Sequence, residues 1–206
     1  MRKKTLPEIN AGSMADIAFL LLIFFLVTTT MDTDSGILRK IPEKQKDLEE
    51  ILIREKNILE VNINLKNELF VEGNIIQLKE LKQIAMDFID NGGGLDKNNS
   101  ICDWCNGTKN PSLSDHPTKA FIYIKADRTS KYETYIAVLD NLNAAYTILR
   151  NNLSVKLYNK SYERLLDDFK KMNYNDASLE KKIKFIREKY PLLLSDAEIK
   201  TDIVLQ

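Results

Sequence analysis

Asp16 is the residue of this sequence whose setting most requires a chemical explanation. It directly precedes the only uninterrupted apolar stretch of the chain, Ile17 to Val27 (IAFLLLIFFLV). An ionised aspartate at the centre of a membrane-spanning helix costs about 2.5–3.5 kcal/mol on insertion scales, so such residues usually face a partner, a cavity or an ion path. The residue type and its setting therefore predict proton handling.

A second group able to do chemistry is the pair Cys102 and Cys105, in the segment CDWC. This spacing is compatible with a local disulfide, a redox dithiol or half of a zinc site. Zinc would need a second pair of ligands, and His116 is the only histidine of the chain. A redox dithiol is expected at the start of a helix that follows a strand, whereas this pair lies in a polar loop. We favour a loop-tightening disulfide and expect no metal or cofactor.

Composition excludes several broad functions. The 206 residues include 30 basic and 30 acidic ones, so no net charge draws the chain to nucleic acid. The length allows a membrane span and one modest domain. The sequence has no nucleophile elbow, phosphate loop, HExxH motif or paired carboxylates, so we do not expect an enzyme.

The N-terminal segment has the layout of a membrane anchor. Basic residues at positions 2–4 precede an apolar stretch that extends from Ala11 to Thr30, and Asp32 and Asp34 follow it. About 20 residues suffice for a helix to cross the bilayer. A cleaved signal peptide is the alternative, but the stretch is not followed by a small-x-small cleavage site. We predict a cytoplasmic N-terminus at 1–10, a single span at 11–31 and an exported remainder.

Helical geometry predicts which residues share a face with Asp16. At about 100° per residue, five positions lie within about 80° of it: Phe19, Leu20, Ile23, Val27 and Thr30. This stripe, interpreted as facing a pore, offers Asp16 no charged partner, so the partner must be another chain or water. The alternative is that Asp16 only caps the helix, which would leave about 15 residues for the crossing, a short span.

The exported part should be a small α+β domain. Residues 32–57 are polar and indicate a linker, and from Ile58 to Leu65 apolar and polar residues alternate as in a half-buried strand. The predicted order is β-β-α-β-α-β, with helices on one face of a sheet. Its elements are a strand from Ile58, a turn at Lys66-Asn67, a strand at Leu69 to Val71, a turn at Gly73-Asn74, a helix from Ile76 to Ile89, a strand at Ala120 to Ile124, a helix from Tyr132 and a strand at Ser154 to Tyr158.

Two segments fall outside that compact pattern. A loop insertion near 92–118 carries the cysteine pair within the predicted 58–160 domain, and a charged extension follows at 161–206. In the extension, sparse apolar residues at helical spacing predict helices near Tyr162 to Met172 and Leu179 to Tyr190. We expect this extension to be only loosely attached.

Two segments carry a family resemblance. Glu8-Ile9-Asn10 followed by Met14 to Phe25 (MADIAFLLLIFF) resembles the N-terminal segment of the ExbD/TolR biopolymer-transport family. Ile124 to Arg128 (IKADR), followed by Tyr132 and a helix with Val138-Leu139-Asp140, is similar to that family's strand-to-helix turn. Together these matches cover about the first 160 residues by order of elements. The sequence Ala11-Gly12-Ser13 departs from the Thr-Pro pair that many members carry there.

The resemblance implies a proton-driven motor subunit of a bacterial inner membrane, with the exported domain in the periplasm. Two copies of such a protein, a homodimer, insert their single helices into a pentameric ExbB-type channel, and the aspartate at position 16 takes up and releases protons. The exported domain then acts on a TonB-type protein that energises transport across the outer membrane. The alternatives are a TolR-like subunit that tethers the envelope and contacts peptidoglycan, and a passive membrane-anchored binding domain.

Overall fold

The computed structural model describes residues 11–28, 53–196 and 201–202. Contacts divide the chain into two compact units, Met1–Asp47 and Leu48–Gln206. The first unit contains helix α1 (Ala11–Thr28). The second contains β1 (Ile53–Arg54), a 3-10 turn (Glu55–Asn57), β2 (Ile58–Ile63), β3 (Leu69–Val71), β4 (Asn74–Ile76), α2 (Leu78–Ile89), β5 (Phe121–Ala126), α3 (Tyr132–Tyr158), α4 (Tyr162–Lys171), α5 (Ala177–Lys189), β6 (Leu194–Ser195) and β7 (Thr201–Asp202).

Helix α1 consists almost entirely of apolar residues and carries one charged side chain, Asp16. Its large apolar side chains are exposed wherever they are described. By the joint criteria of length and apolarity, no helix within 11–28, 53–196 or 201–202 qualifies as a membrane span. The last residues of the predicted span, 29–31, lie outside the described residues, as do 1–10 and 32–52.

The main sheet is mixed and has the strand order β4-β3-β2-β5-β6. Strands β2, β3 and β4 pair antiparallel through tight turns, whereas β2 and β5 pair parallel, with Leu59 opposite Ile122 and Val61 opposite Ile124. Parallel neighbours need a crossover, which α2 and the following loop supply. The strands predicted from Ile58 and at Ala120 to Ile124 are confirmed as β2 and β5, and both lie inside the sheet.

One face of the sheet builds the core. Every second residue of β2 is buried, as are Ile122 and Ile124 of β5, and these side chains form one cluster with the buried faces of α2 and α3. The alternate positions are exposed or half-buried, which is the pattern of a sheet covered by helices on one side. The members of this cluster from the four elements are Leu59, Val61, Ile63, Leu81, Ala85, Phe88, Ile89, Ile122, Ile124, Val138, Leu139, Leu142, Ala145, Tyr146, Leu149 and Leu153.

The predicted final strand at Ser154 to Tyr158 is wrong. Helix α3 runs unbroken through this segment and ends at Asn159, which adopts a left-handed conformation with φ of 53°. Leu149 and Leu153 continue the helical period into the core, and the Ser154 hydroxyl donates a 2.7 Å hydrogen bond to the Lys160 carbonyl. The burial of Leu149 and Leu153, four residues apart on one helix face, therefore favours a helix more strongly than the short run at 154–158 favours a strand.

The C-terminal extension is part of the folded unit, so the expected loose attachment is wrong for the residues up to Ser195. Helices α4 and α5, both predicted, pack on each other through a second apolar cluster that includes Leu165 and Ile186. The guanidinium of Arg150 donates hydrogen bonds of 3.0 and 2.7 Å to the Tyr190 carbonyl. Strand β6 then joins the edge of the sheet beside β5, where the strand predicted at 154–158 does not form.

Two further differences concern the start of the domain. Residues 53–57, which the sequence placed in the linker, form β1 and the 3-10 turn, and Asn57 is buried. The short strand β4 follows the turn at Glu72-Gly73 and was not predicted. Its three residues are too few to produce a recognisable alternation.

Candidate functional site

Asp16 lies inside α1, more than one turn beyond the first described residue of the helix. A capping residue flanks a helix at its end, so this position does not fit the alternative in which Asp16 is only an N-cap. The Asp16 side chain is exposed, and the three nearest stripe residues, Phe19, Leu20 and Ile23, are exposed large apolar side chains. Helix α1 therefore presents a carboxylate at one end of an uncovered apolar face.

The remaining predicted stripe positions are only partly described. Val27 belongs to the same helix, and Thr30 lies outside the described residues. Close to them, the Thr28 hydroxyl donates a 2.8 Å hydrogen bond to the Phe24 carbonyl one turn earlier. A hydroxyl satisfied within its own helix does not need water, which suits apolar surroundings.

The second family segment forms a rigid turn between β5 and α3. The Asp127 carboxylate accepts hydrogen bonds from the Thr129 hydroxyl at 2.6 Å and from the Thr129 amide at 2.8 Å. These bonds hold the pKa of Asp127 below its usual value. The Asp127 amide in turn donates to the Ile63 carbonyl at the end of β2. The motif aspartate therefore has a structural role here, because it shapes the turn that begins α3.

Asn67 connects that turn to the β2–β3 hairpin. Its side-chain oxygen accepts a 2.7 Å hydrogen bond from the Lys131 amide, at the N-cap of α3. Asn67 itself has a φ of 65°, a conformation that asparagine tolerates better than most residues. The hairpin and the start of α3 are consequently fixed to each other.

The insertion between α2 and β5 is held by buried polar side chains. The side-chain NH₂ of Asn91 donates hydrogen bonds to the backbone carbonyls of Asn110 and Ser114 at 2.8 and 2.7 Å. The side-chain oxygen of Asn91 accepts a 2.9 Å hydrogen bond from the backbone N–H of Asn110. The backbone packs so tightly that a Cβ added to Gly107 would lie 2.4 Å from the Asp90 carbonyl oxygen. The insertion is therefore an ordered part of the domain that lacks regular secondary structure apart from one isolated bridge, Leu95 to Ile101.

Cys102 and Cys105 are joined by a disulfide in this insertion. Cys102 is buried, and a Cβ on Gly92 would lie 2.9 Å from the Cys105 Cβ, so the disulfide packs directly on the segment after α2. In the described parts of the chain, no three His, Cys, Asp or Glu side chains gather as a metal site would require.

Asp115 fastens the end of the linker to the insertion. One oxygen of the Asp115 carboxylate lies 2.6 Å from the Lys56 ammonium, and the other accepts a 3.0 Å hydrogen bond from the side-chain NH₂ of Asn57. The backbone N–H of Asp115 donates a 2.7 Å hydrogen bond to the side-chain oxygen of Asn57. Burial raises the pKa of this carboxyl, but Lys56 and Asn57 outweigh it, and the pKa is held below the usual value. Asp115 is therefore a buried, paired anion.

His116 and Trp104 form the centre of the insertion. The His116 ring is 1% exposed and meets Trp104 edge to face, with 5.2 Å between the ring centroids. His116 Nδ1 accepts from the Thr118 amide and lies 2.7 Å from the Thr118 hydroxyl, while Nε2 has no hydrogen-bond partner among the described residues. Burial lowers the pKa of His116, and the nearby Lys189 and Lys119 lower it further, against the opposing effect of Asp96.

Sequence reasoning named Asp16 and the cysteine pair but missed the polar side chains that hold the insertion together. Asp90, Asn91 and Asp115 are buried polar residues without a motif, each bonded to a segment distant in sequence. Their only sequence signal is the concentration of Asn, Asp and Gly around them, which also describes an exposed loop. Long-range pairing of this kind is not visible in a local pattern.

These features agree with one family. The model of the family described as Biopolymer transport protein ExbD/TolR matches residues 2–157, which include α1, the strand-to-helix turn and all but the last residue of α3. No curated protein matches the chain. The chain belongs to the ExbD/TolR family of membrane-anchored biopolymer-transport proteins, whose members work with ExbB- or TolQ-type and TonB- or TolA-type partners.

Proposed function

We propose that this chain is the proton-conducting motor subunit of an inner-membrane energy-transducing complex that powers TonB-dependent transport across the outer membrane. The observation that carries this proposal is Asp16, the only charged residue of α1, placed within the helix beside exposed apolar side chains. An ionised carboxylate in a membrane span is costly, and such residues usually face a partner, a cavity or an ion path. The family match supports the same class of protein.

In this proposal α1 crosses the membrane once, with a cytoplasmic N-terminus and a periplasmic domain. The α1 helices of two copies occupy the pore of a pentameric ExbB-type subunit. An apolar wall favours the neutral form of Asp16, and a polar group from the surrounding ring favours the carboxylate, so rotation or displacement alternates the two. One charge moved across 100 mV supplies about 2.3 kcal/mol, enough to bias such an equilibrium.

The periplasmic domain is suited to transmitting force because its elements are fixed to one another. Asn67 bonds the hairpin to the start of α3, and Asp115 bonds the linker end at Lys56 and Asn57 to the insertion. A displacement arriving through the linker therefore reaches the whole domain, which in our proposal passes it to a TonB-type partner. The proposal assigns no catalytic turnover to this chain.

The test replaces Asp16 in the full-length protein. We expect Asp16→Asn to abolish energised uptake by a TonB-dependent receptor while the protein still co-purifies with its ExbB-type partner. Asp16→Glu should restore part of the uptake, because it keeps the ionisable group. Thr28→Val serves as the matched control in the same helix and should retain both properties. Full uptake by Asp16→Asn together with an intact outer membrane would refute the motor function. If uptake persists but outer-membrane integrity is lost, the output is TolR-like and the TonB assignment is wrong.

A further inference from the structure

The periplasmic domain contains a cavity that is separate from Asp16 and from the strand-to-helix turn. It lies between the disulfide loop of the insertion, the last turns of α3 and the last turns of α5, and has a volume of about 240 Å³. Pockets for small-molecule ligands usually range from about 300 to 1,000 Å³. This cavity is therefore closer to the size of one or two amino-acid side chains than to that of a cofactor.

The walls of the cavity are largely apolar and partly uncovered. Leu153 is buried at its base, whereas Leu157 of α3 and Phe185 of α5 remain 46% and 41% exposed. These side chains together offer an apolar contact surface at a concave site. Aliphatic groups would gain most from contact with these walls.

Two lysines give the cavity a positive rim. Lys156 of α3 and Lys189 of α5 both line it, and Asp103 is the single acidic residue there. Neither lysine forms an ion pair within the described part of the chain. Lys156 acts electrostatically on Asp90, but that carboxylate already accepts hydrogen bonds from the Tyr190 hydroxyl and the Asn106 backbone N–H. The rim therefore has an excess positive charge for which a carboxylate is the complementary group.

Trp104 argues against a sugar as the occupant. Saccharide rings would need a free aromatic face, but the Lys189 ammonium lies 3.7 Å from the Trp104 ring centroid and His116 packs against the same ring. The Lys189–Trp104 contact also holds the ammonium at the cavity, since the face of an indole ring attracts a cation electrostatically. A peptide side chain can use the remaining apolar walls without displacing either contact.

We infer that this cavity binds a segment of a partner protein that presents a carboxylate next to aliphatic side chains. Phe185 and Lys189 lie beyond residue 157, where the family match ends, and Trp104 lies in the insertion. The site is thus assembled partly from residues beyond the matched segment, and it adds a second contact surface to the proposed motor. Its occupancy does not depend on Asp16.

The chain provides its own probe, because Trp104 is the only tryptophan. The experiment titrates full-length protein in nanodiscs with an acetylated hexapeptide of alternating glutamate and leucine, and follows Trp104 emission. We expect a saturable change that weakens with added salt. A hexapeptide with glutamine in place of glutamate should bind at least about tenfold more weakly, a difference typical of a lost charge pair.

Matched variants locate the binding. The double variant Lys156→Gln, Lys189→Gln should weaken binding at least about tenfold, and Lys156→Gln alone should weaken it by a smaller factor. The control, Lys79→Gln and Lys97→Gln together, removes two exposed lysines that do not line the cavity and should leave binding unchanged. Phe185→Ser should weaken binding, whereas Val155→Ser, an exposed apolar residue outside the cavity lining, should not.

Three results would overturn the inference. One is the absence of a saturable change with the glutamate-leucine peptide, and another is equal binding of the glutamine peptide. The third is competition by a soluble disaccharide muropeptide that binds more tightly than the peptide, which would assign the cavity to glycan. We expect the Asp16→Asn variant to bind the glutamate-leucine hexapeptide as the unsubstituted protein does. Peptide binding and energised uptake therefore test this inference and the motor function separately.

Discussion

The hydroxyl of Tyr190 donates a 2.6 Å hydrogen bond to the carboxylate of Asp90, one hundred residues earlier in the chain. Both side chains are buried. Asp90 is the C-cap residue of α2. The second oxygen of its carboxylate accepts a 3.0 Å hydrogen bond from the backbone N–H of Asn106 in the insertion. One carboxylate therefore joins α2, the insertion and the end of α5.

Removal of this hydroxyl should destabilise the domain. We expect Tyr190→Phe to lower the free energy of unfolding by about 1–3 kcal/mol, because the buried Asp90 carboxylate loses a partner that water cannot replace. Urea denaturation followed by circular dichroism measures the change. Tyr174→Phe removes a hydroxyl from a side chain that is 65% exposed and should change stability little. Equal stability of the two variants would contradict the structural role of the bond.

Asp115→Ala should be destabilising in a pH-dependent way. The substitution leaves the buried Asn57 amide without its acceptor, which costs about 1–3 kcal/mol. Because the folded-state pKa of Asp115 lies below its unfolded value of about 3.9, its stabilising effect is complete above that pH and disappears as the pH falls through the folded pKa. The difference from the unsubstituted protein should narrow below about pH 4. Denaturant midpoints at several pH values test this, with the exposed Asp140→Ala as control.

His116 should make stability decrease on mild acidification. Its folded-state pKa lies below the ordinary value of about 6.5, so between these two values the unfolded chain binds more protons. The contribution of His116 to the free energy of unfolding is therefore fully present above about pH 6.5 and decreases as the pH falls below that value. We expect His116→Gln to be less stable at pH 7.5 but to lose less additional stability between pH 7.5 and 5.5. An unchanged slope in the variant would show that other groups cause the acid response.

The disulfide should contribute to stability and not to transport. By the chain-entropy relation, closing a loop as short as that between Cys102 and Cys105 stabilises a fold by about 2 kcal/mol. Cys102→Ser with Cys105→Ser should lower stability by about that amount and leave energised uptake intact. Reductant should produce the same shift in the unsubstituted protein and none in the variant. Loss of uptake in a stably folded double variant would instead indicate redox chemistry.

The sequence predicted the central elements well because local patterns determine them. Alternation in β2 and helical spacing in α2 reflect burial of one side, and both agree with the structure. The misassigned segment at 154–158 shows the limit of such patterns, since a short apolar run fits a strand and a buried helix end equally well. The edge position beside β5 is filled by β6, whose two residues carry no detectable signal.

The functional residues likewise include some that the sequence predicts and some that only the structure shows. Asp16 could be recognised because a carboxylate stands out in an apolar stretch, and the turn at Asp127 because turn residues follow a buried strand. The cavity lined by Trp104 and Lys189 could not be predicted, because these two residues are 85 positions apart in the sequence. Only the packing of α5 against the insertion brings them together.

The pairing of β6 with β5 determines how another polypeptide can extend this sheet. Strand β6 pairs with Ile122 and Tyr123 on the outer side of β5, so it covers two of the six residues of that strand. The opposite border is β4, with three residues. Short border strands offer few free backbone groups. The sheet thus ends in a short strand on either side, which limits the length over which another strand could be added by intermolecular β-augmentation.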